Sequence, residues 1–364
     1  MISNPAAARF GHAVSIDNNR VLIGLPNADV RRVDSGAALV YVLSGGTWVL
    51  EGDLVDSVDG GAGDLMGFSV SLSGNRALVG ALLDSHSGYF DCGSAYVFVR
   101  SGSTWVLESK LTAYDPGTDD HFGVSVALSQ DRALIAADVE DAGGRENSGS
   151  AYVFVRAGTT WSHEAKLVAT DALRDDRFGS SVSLSGERAL IGAFGTDDAG
   201  SESGSAYVFV RSGSMWSQEA KLVATDAASG DSFGYAVSLE GSHAIIGARG
   251  DDANGQSSSG SVYVFGDIGA VSAETGAPSG VSLAAPVPNP AATRATLALT
   301  VDRPQGVRAT VVDALGREVA VAFDGVVTDG AQLVVATASL TPGVYVVRVT
   351  GASFDLSRRL TVVR

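Results

Sequence analysis

The sequence predicts an all-β chain: an antiparallel β-propeller-like repeat domain of five copies, the last incomplete, followed by a small Ig-like β-sandwich. Landmarks recur about every 55 residues, short apolar runs alternate with period two between glycine-rich turns, and composition shifts after Phe265. The dipeptide Phe10-Gly11 returns as Met66-Gly67, Phe122-Gly123, Phe178-Gly179 and Phe233-Gly234, at intervals of 56, 56, 56 and 55. Gly36-Ala37-Ala38-Leu39-Val40-Tyr41 has counterparts from Gly93, Gly149, Gly204 and Gly260. All four tryptophans, Trp48, Trp105, Trp161 and Trp216, hold one repeat position.

Each complete copy reads as four strands. The first is Phe-Gly-x-x-Val-Ser-Leu, as in Phe178 to Leu184. A tight turn follows, Ser73-Gly74-Asn75-Arg76 in one copy and Ser185-Gly186-Glu187-Arg188 in another, where Gly beside a polar residue favours a short hairpin. The second strand runs from Arg188 to Ala193, and a polar, acidic loop leads to the third, Gly-Ser-Ala-Tyr-Val-Phe-Val-Arg. The fourth is Trp-Ser-x-Glu-Ala-Lys-Leu; unbroken alternation puts Trp161, His163, Ala165 and Leu167 on one face and Ser162, Glu164 and Lys166 on the other. Four residues separate Arg100, Arg156 and Arg211 from Trp105, Trp161 and Trp216, so a hairpin pairs each guanidinium with an indole, while copy one has Leu43 there. Four antiparallel strands per repeat suggest propeller blades, because a row of separate hairpins would leave long edges open. Copy five stops at Phe265 without a fourth strand, and the residues before Phe10 look like the loop that follows one. No signal-peptide-like apolar stretch is visible at the N-terminus, so the natural beginning is expected to lie upstream.

Taken together, Phe-Gly, then Val-Gly-Ala or Ile-Gly-Ala, then Gly-Ser-Ala-Tyr-Val-Phe resembles the FG-GAP repeat over residues 10–265. That repeat is the blade unit of the integrin α-subunit propeller and of many bacterial surface proteins. Its proline survives in Gly24-Leu25-Pro26 but not in Gly192-Ala193-Phe194 or Gly247-Ala248-Arg249. Integrin-type repeats carry a D-x-D-x-D-G-like cation loop between the first and second strands. The corresponding turns here, at 73–76, 129–132, 185–188 and 240–243, are short and poor in carboxylates, so that site is not carried over.

Residues 1–268 are therefore expected to form the repeat domain, 269–285 an Ala/Gly/Pro linker, and 286–364 a second domain. From Gly269 onward there are seven acids and eight arginines, whereas the preceding part holds 34 acids against 17 bases. The runs Ala295 to Val301, Arg308 to Val312, Leu333 to Ala336, Val344 to Val349 and Leu360 to Val363 suggest the sandwich. Three landmarks occur in order: Pro288-Asn289-Pro290, then Asp313-Ala314-Leu315-Gly316-Arg317, then Pro342-Gly343-Val344-Tyr345. They resemble the type A sorting domain of the bacterial type IX secretion system, which implies export across the outer membrane and a partner in that machinery.

The net charge of −16 argues against nucleic acid or an anionic membrane as partner, and no segment reaches the roughly 18 apolar residues needed to span a bilayer. The single Cys92 excludes a disulfide framework and is expected to be incidental. Only three lysines, Lys110, Lys166 and Lys221, stand beside 22 arginines, a bias that codon usage explains. Gly230-Asp231-Ser232-Phe233-Gly234 fits a hydrolase elbow in letters, but it is the Phe-Gly corner of copy five and lacks the strand–turn–helix context. The five histidines, His12, His86, His121, His163 and His243, form no local pair and suit packing or surface roles. Acids cluster at Asp197-Asp198, at Asp251-Asp252 with Asn254, and at Asp171 with Asp175 and Asp176; calcium is the bolder reading of these loops and solvated acids the plainer one. The tryptophans recur beside core-like leucines and are expected to pack between blades rather than stack on sugar.

The leading expectation is an exported, non-enzymatic propeller that binds a protein or glycan through rim loops, without a cofactor. A hydrolase or lyase with an axial site and a purely structural or adhesive element are the alternatives. A catalytic site breaks repeat symmetry, and the copies show no strong break.

Overall fold

The computed structural model describes residues 8–57, 60–252, 256–266, 268, 281–284, 286–287, 289, 291–313, 317–328, 330–341, 343–351 and 354–363. It divides into two units, Met1–Gly241 with Ile245–Tyr263, and Ser242–Ala244 with Val264–Arg364. No helix among the described residues is long and apolar enough to cross a membrane.

The repeats form five antiparallel sheets in chain order. The first holds β1 (Val14–Asp17), β2 (Arg20–Leu25), β3 (Ala37–Ser44) and β4 (Thr47–Leu54). The second holds β5 (Met66–Ser73), β6 (Arg76–Ala81), β7 (Ser94–Ser101) and β8 (Thr104–Leu111). The third holds β9 (Val126–Ser129), β10 (Arg132–Ala137), β11 (Ser150–Ala157) and β12 (Thr160–Leu167). The fourth holds β13 (Ser181–Ser185), β14 (Arg188–Ala193), β15 (Ser205–Ser212) and β16 (Met215–Leu222). The fifth has three strands, β17 (Phe233–Glu240), β18 (His243–Ala248) and β19 (Ser261–Phe265), as the missing fourth-strand motif requires.

Strand order within every sheet is sequential, so the tight turns lie at one end and all the long loops at the other. Each sheet packs on the next through its leading strands. Apolar residues from both faces make the cores. Leu22, Ala38, Val40 and Leu54 of the first sheet meet Val70, Leu72, Val79 and Tyr96 of the second. Leu134, Ala151, Val153 and Leu167 of the third meet Val182, Leu184, Ile191 and Tyr207 of the fourth.

The Phe-Gly corner seats one sheet against its neighbour. His121 and Gly123 flank Phe122 with φ of +60° and +96°, so the chain reverses tightly and the Phe122 ring is wholly buried. A side chain on Gly123 would suffer both that φ and a Cβ 2.4 Å from the Ser94 carbonyl oxygen.

The hairpin register is as the spacing predicts. Arg100 pairs with Trp105, Arg156 with Trp161, Arg211 with Trp216 and Leu43 with Trp48. The expected unbroken alternation of the fourth strand is wrong. Each fourth strand carries a β-bulge, at Glu51, Glu108, Glu164 and Glu219. Trp161 and His163 stay opposite Arg156 and Phe154, but beyond the bulge Lys166 lies opposite Tyr152 and Leu167 opposite Ala151. Lys166 thus shares a face with Trp161, and Ala165 and Leu167 turn to the other.

The C-terminal unit is a β-sandwich. One sheet orders β20 (Ser282–Leu283), β21 (Arg294–Thr300) and β24 (Ala331–Ala336). The other orders β23 (Glu318–Val327), β22 (Gln305–Val312), β25 (Gly343–Gly351) and β26 (Asp355–Val362). Leu283, Leu297 and Leu333 from one sheet and Val307, Val311 and Val347 from the other share one core.

Candidate ligand-binding face

The recurring polar residues of the repeats are tied between sheets. The bulge aims each glutamate at the following sheet. Glu51 accepts from Arg20 of its own sheet at 2.8 Å, and from Arg100 at 2.9 Å and Trp105 Nε1 at 3.1 Å of the next. Glu108 accepts from Arg76 and from Trp161 Nε1, each at 2.9 Å. Glu164 accepts from Arg132, from Arg211 at 2.9 Å and from Trp216 Nε1 at 3.0 Å. Arg100 with Trp105 and Arg211 with Trp216 thus converge side by side on one carboxylate instead of stacking, whereas Arg156, beside Trp161, donates to Asp131 of its own sheet at 2.9 Å.

These donors set the charge state of the glutamates. The Arg20 guanidinium bound to Glu51 holds its carboxyl down at about 2. Burial pushes Glu108 and Glu164 up, but their Arg and Trp donors outweigh it and both end low. Glu219 has no such partner in the three-stranded fifth sheet. Arg188 stands 3.9 Å away, and burial leaves the Glu219 carboxyl raised.

A second tie escaped the sequence reading, which put the few lysines down to codon usage. All three sit at one position of the fourth strand. Lys110, Lys166 and Lys221 lie 5.3, 5.1 and 5.3 Å from the ring centroids of Tyr96, Tyr152 and Tyr207. Lys166 Nζ reaches Asp115 at 2.8 Å and Glu140 at 3.0 Å, and Tyr152 Oη donates to the same Asp115 at 2.9 Å. The register of Tyr with Lys across one hairpin was the available signal.

Loops at the long-loop end brace each other through backbone bonds, such as Asp119 N–H to Phe90 O and Gly230 N–H to Ser201 O. Asp176 and Asp231 each accept a backbone N–H three residues back, from Leu173 and Ala228, at 2.7 Å. Asp120 accepts likewise from Gly117, and burial raises its carboxyl to about 6. Beyond these supports the loops differ from copy to copy in length and sequence. They expose Val33, Tyr89, Phe90, Tyr114 and Leu173.

The acids singled out as cation candidates lie in these loops with partners of their own. Asp197 accepts from Glu202 N–H at 2.8 Å, and Asp252 from Ser258 N–H at 2.7 Å. Asp198 accepts from Ser205 Oγ at 2.8 Å and pairs with Lys221; Asp251 accepts from Tyr263 Oη at 3.0 Å. Asn254 lies outside the described residues. Among the described residues, no three His, Cys, Asp or Glu side chains converge as a metal site would require. Ser232 is a corner residue with φ +55° whose hydroxyl donates to Gly230 O at 3.4 Å. His163 packs edge-on to Tyr114 and Phe154, and Cys92 is buried beneath its loop, its thiol pushed up by burial.

Of the C-terminal landmarks, Asp313 and Arg317 close a turn. The Arg317 backbone N–H and Nε donate to Asp313 at 2.9 and 2.8 Å. Gly343 opens β25; Tyr345 is buried, with its hydroxyl donating to Thr341 O at 2.8 Å. Asn289 is exposed. Pro288, Pro290, Gly316 and Pro342 lie outside the described residues.

Comparison with known proteins agrees with this anatomy. The FG-GAP repeat family matches residues 48–98, 105–154, 161–209 and 216–265. Each match starts at a tryptophan, so one family unit is a fourth strand plus three strands of the next sheet. The family described as the secretion system C-terminal sorting domain matches residues 287–363. No curated protein matches. Among solved structures, the periplasmic gluconolactonase of Pseudomonas aeruginosa is similar at 13% identity and a TM-score of 0.48, over 90% of this chain and 88% of that one. The sorting domain marks a protein that is secreted or held at the outer-membrane surface. The chain belongs to the FG-GAP repeat family and carries a C-terminal sorting domain of the type IX secretion system.

Proposed function

We propose that this exported protein is a binding module without catalytic activity, engaging a protein or glycan through its long-loop face. One observation carries the reading: exposed Tyr89, Phe90, Tyr114 and Leu173 stand where the copies differ, at the same end of neighbouring sheets. Exposed apolar and aromatic side chains on otherwise polar loops are what interaction surfaces carry. The recurring ionisable groups support it from the other side, because the described glutamates, arginines, lysines and tyrosines are engaged in ties within and between sheets.

The test is a protein and glycan array probed with the full chain and with a Phe90→Ser, Tyr114→Ser, Leu173→Ser variant. These side chains are exposed, and the Tyr114 ring gives up only an edge contact with His163, so the variant should keep the parent's circular dichroism spectrum, which is recorded alongside. Capture of defined ligands by the parent and at least tenfold weaker capture by the variant is expected. Equal capture by both moves the site elsewhere. Turnover of a captured glycan or ester would replace the binding reading with an enzymatic one. For the address role, a precursor shortened by residues 286–364 should accumulate in the periplasm while its ligand capture is unchanged; normal appearance outside the cell would contradict it.

A further inference from the structure

The first strands of adjacent sheets pack on each other more closely than the fourth strands do, so the long-loop ends of the first and second strands gather on the inner side of the array. The second strands leading there are near copies: β6 reads Arg-Ala-Leu-Val-Gly-Ala, β10 Arg-Ala-Leu-Ile-Ala-Ala and β14 Arg-Ala-Leu-Ile-Gly-Ala. The residue that follows each second strand is not repeated at all. Pro26, Leu82, Asp138, Phe194 and Arg249 stand there in turn. The position before the Phe-Gly corner varies as well, with His121 in copy three and Arg177 in copy four. The position after the corner glycine brings Tyr235 in copy five. Repeat symmetry is therefore broken at one belt of residues, and the breaks are polar and aromatic.

Contacts join these residues across the third, fourth and fifth sheets. Asp138 lies between the corner of its own sheet and that of the next. Its Oδ1 is 4.0 Å from His121 Nδ1, and its Oδ2 is 3.7 Å from Arg177 Nη1. Both gaps are longer than a hydrogen bond. Asp138 is only 7% exposed, and its Oδ1 has no hydrogen-bond partner among the described residues. Burial pushes its carboxyl up, and Arg177 and His121 offset that only in part. A buried carboxylate oxygen without a donor is costly. Packing alone does not call for it, because Leu82 fills the same place in copy two and is buried there.

Phe194, half-buried, holds this position in the fourth sheet, and its ring centroid is 5.6 Å from that of Tyr235. The Arg249 guanidinium lies over Tyr235, 3.8 Å from the centroid, and 5.9 Å from that of Phe194. Among the described residues no carboxylate pairs with Arg249, in a chain of 41 acids against 25 bases. Stacking on a ring pre-orients the planar guanidinium fork, which suits it to a carboxylate. Neighbouring hydroxyl groups both donate and accept, so they match a desolvated acceptor flanked by two donors. The C–H face of a pyranose is apolar and matches an aromatic ring. A neutral sugar would leave Arg249 unused, and a small anion would leave Asp138 without a donor.

We propose that this belt binds an acidic oligosaccharide, with a uronate unit on Phe194 and Arg249 and the hydroxyls of the adjoining unit on Asp138, His121 and Arg177. The site is separate from the exposed rim aromatics, and stands whether or not they engage a partner.

Isothermal titration of the full-length chain tests this. The probes are tetrasaccharides of galacturonate, glucuronate and mannuronate, each beside its neutral counterpart of galactose, glucose or mannose. The parent should bind at least one uronate about tenfold or more tightly than the neutral counterpart, as a charge-assisted contact to Arg249 would give. Asp138→Leu, which copies Leu82, should weaken that binding about tenfold or more with an unchanged circular dichroism spectrum. Arg177→Gln, at a partly exposed corner, should weaken it in the same direction and keeps the test decisive if Asp138→Leu does not fold. Arg249→Gln should remove the preference for the acidic sugar and leave the neutral one bound as in the parent. The Phe90→Ser, Tyr114→Ser, Leu173→Ser variant should bind these sugars like the parent, so this site and the rim reading fail separately. A parent that binds none of these sugars, or binds acidic and neutral ones alike, overturns the proposal. So does uronate binding that survives Asp138→Leu or Arg177→Gln, or that is lost with the rim variant.

Discussion

The junction between the third and fourth sheets contrasts with what lies beyond it, the edge of the fourth sheet against the three-stranded fifth and the fifth sheet's own outer face, where the same repeat positions have the opposite effect. At the junction, Glu164 is buried and collects Arg132, Arg211 and Trp216 Nε1, and its carboxyl is held low. One copy later Glu219 occupies the same bulge with Arg188 at 3.9 Å, and its carboxyl is raised by burial. A Cβ on Gly192 would lie 1.9 Å from the Gly234 carbonyl oxygen, while one on Gly247 meets nothing nearer than 3.8 Å. A repeat residue here is stabilising or costly according to whether a following sheet completes its surroundings. Sequence identity between copies is therefore no guide to energetic equivalence.

The sharpest way to break the comparison is to place one side chain at both glycines. Copy three accommodates the Cβ of Ala136 at the equivalent place by a shifted corner, but Gly192→Val would put its Cβ 1.9 Å from the Gly234 carbonyl oxygen and add two methyls beyond it, and should cost about 3 kcal/mol. Gly247→Val should fall within about 0.5 kcal/mol of the parent, as changes in open surroundings do. Urea unfolding of the full chain, measured on dilute protein, reads both. Equal losses would show that strand propensity rather than sheet packing makes these glycines necessary.

Much of this contrast was legible in advance, and the part that was not has a physical reason. The period, the strand order, the Arg100–Trp105 register and the missing fourth strand of copy five follow from landmark spacing, because turn length and period-two pairing leave little freedom. The bulge at Glu164 does not follow. An inserted residue leaves Trp161, His163, Ala165 and Leu167 looking like one alternating stripe, and only the partners across the hairpin and in adjacent sheets reveal the change of phase. The lysine–tyrosine tie was hidden by that error, which put Lys166 on the wrong face. In the sandwich, β23 was missed because its outward valines leave no one-sided apolar pattern. The exposed loop aromatics carry no periodic signal at all.

Removing the carboxylate sharpens the comparison next. Glu164→Ala leaves the Trp216 indole N–H without its acceptor and Arg132 and Arg211 with only the more exposed Glu187, and should cost about 1–3 kcal/mol. Glu219→Gln should be neutral or stabilising at neutral pH, since it removes a charge that burial disfavours. Acid gives the same contrast with opposite signs. Glu51, depressed from 4.5 to about 2 in the folded chain, contributes stability that is complete above its ordinary value and lost as pH falls toward 2. Glu219 is raised, so the folded chain binds its proton more tightly, and its unfavourable contribution is relieved as pH falls through the raised value to the ordinary one. Glu51→Gln should flatten the acid limb of a stability–pH curve, and Glu219→Gln should remove a small gain that the parent shows as pH falls through the raised Glu219 value. A curve unchanged by either substitution would place the acid sensitivity elsewhere.

The smallest contrast concerns the tyrosines. Tyr152 is wholly buried; its hydroxyl donates to Asp115 at 2.9 Å, and Lys166 binds the same carboxylate while covering the ring. Tyr152→Phe leaves Asp115 paired with Lys166, so the loss is one charge-assisted hydrogen bond, about 1–2 kcal/mol. In the fifth sheet, the single Tyr263 hydroxyl proton is shared between Asp226 at 2.8 Å and Asp251 at 3.0 Å, and among the described residues no fourth strand brings a lysine beside them. Water reaches Tyr263 and can replace the donor, so Tyr263→Phe should cost below about 0.5 kcal/mol. Its effect should grow at low ionic strength, because the hydroxyl separates two carboxylates whose repulsion salt screens. Measuring both substitutions at two salt concentrations separates the contributions. If Tyr263→Phe costs as much as Tyr152→Phe at either salt, the hydroxyl–carboxylate bond alone holds the tie, and the lysine and the following sheet add nothing to it.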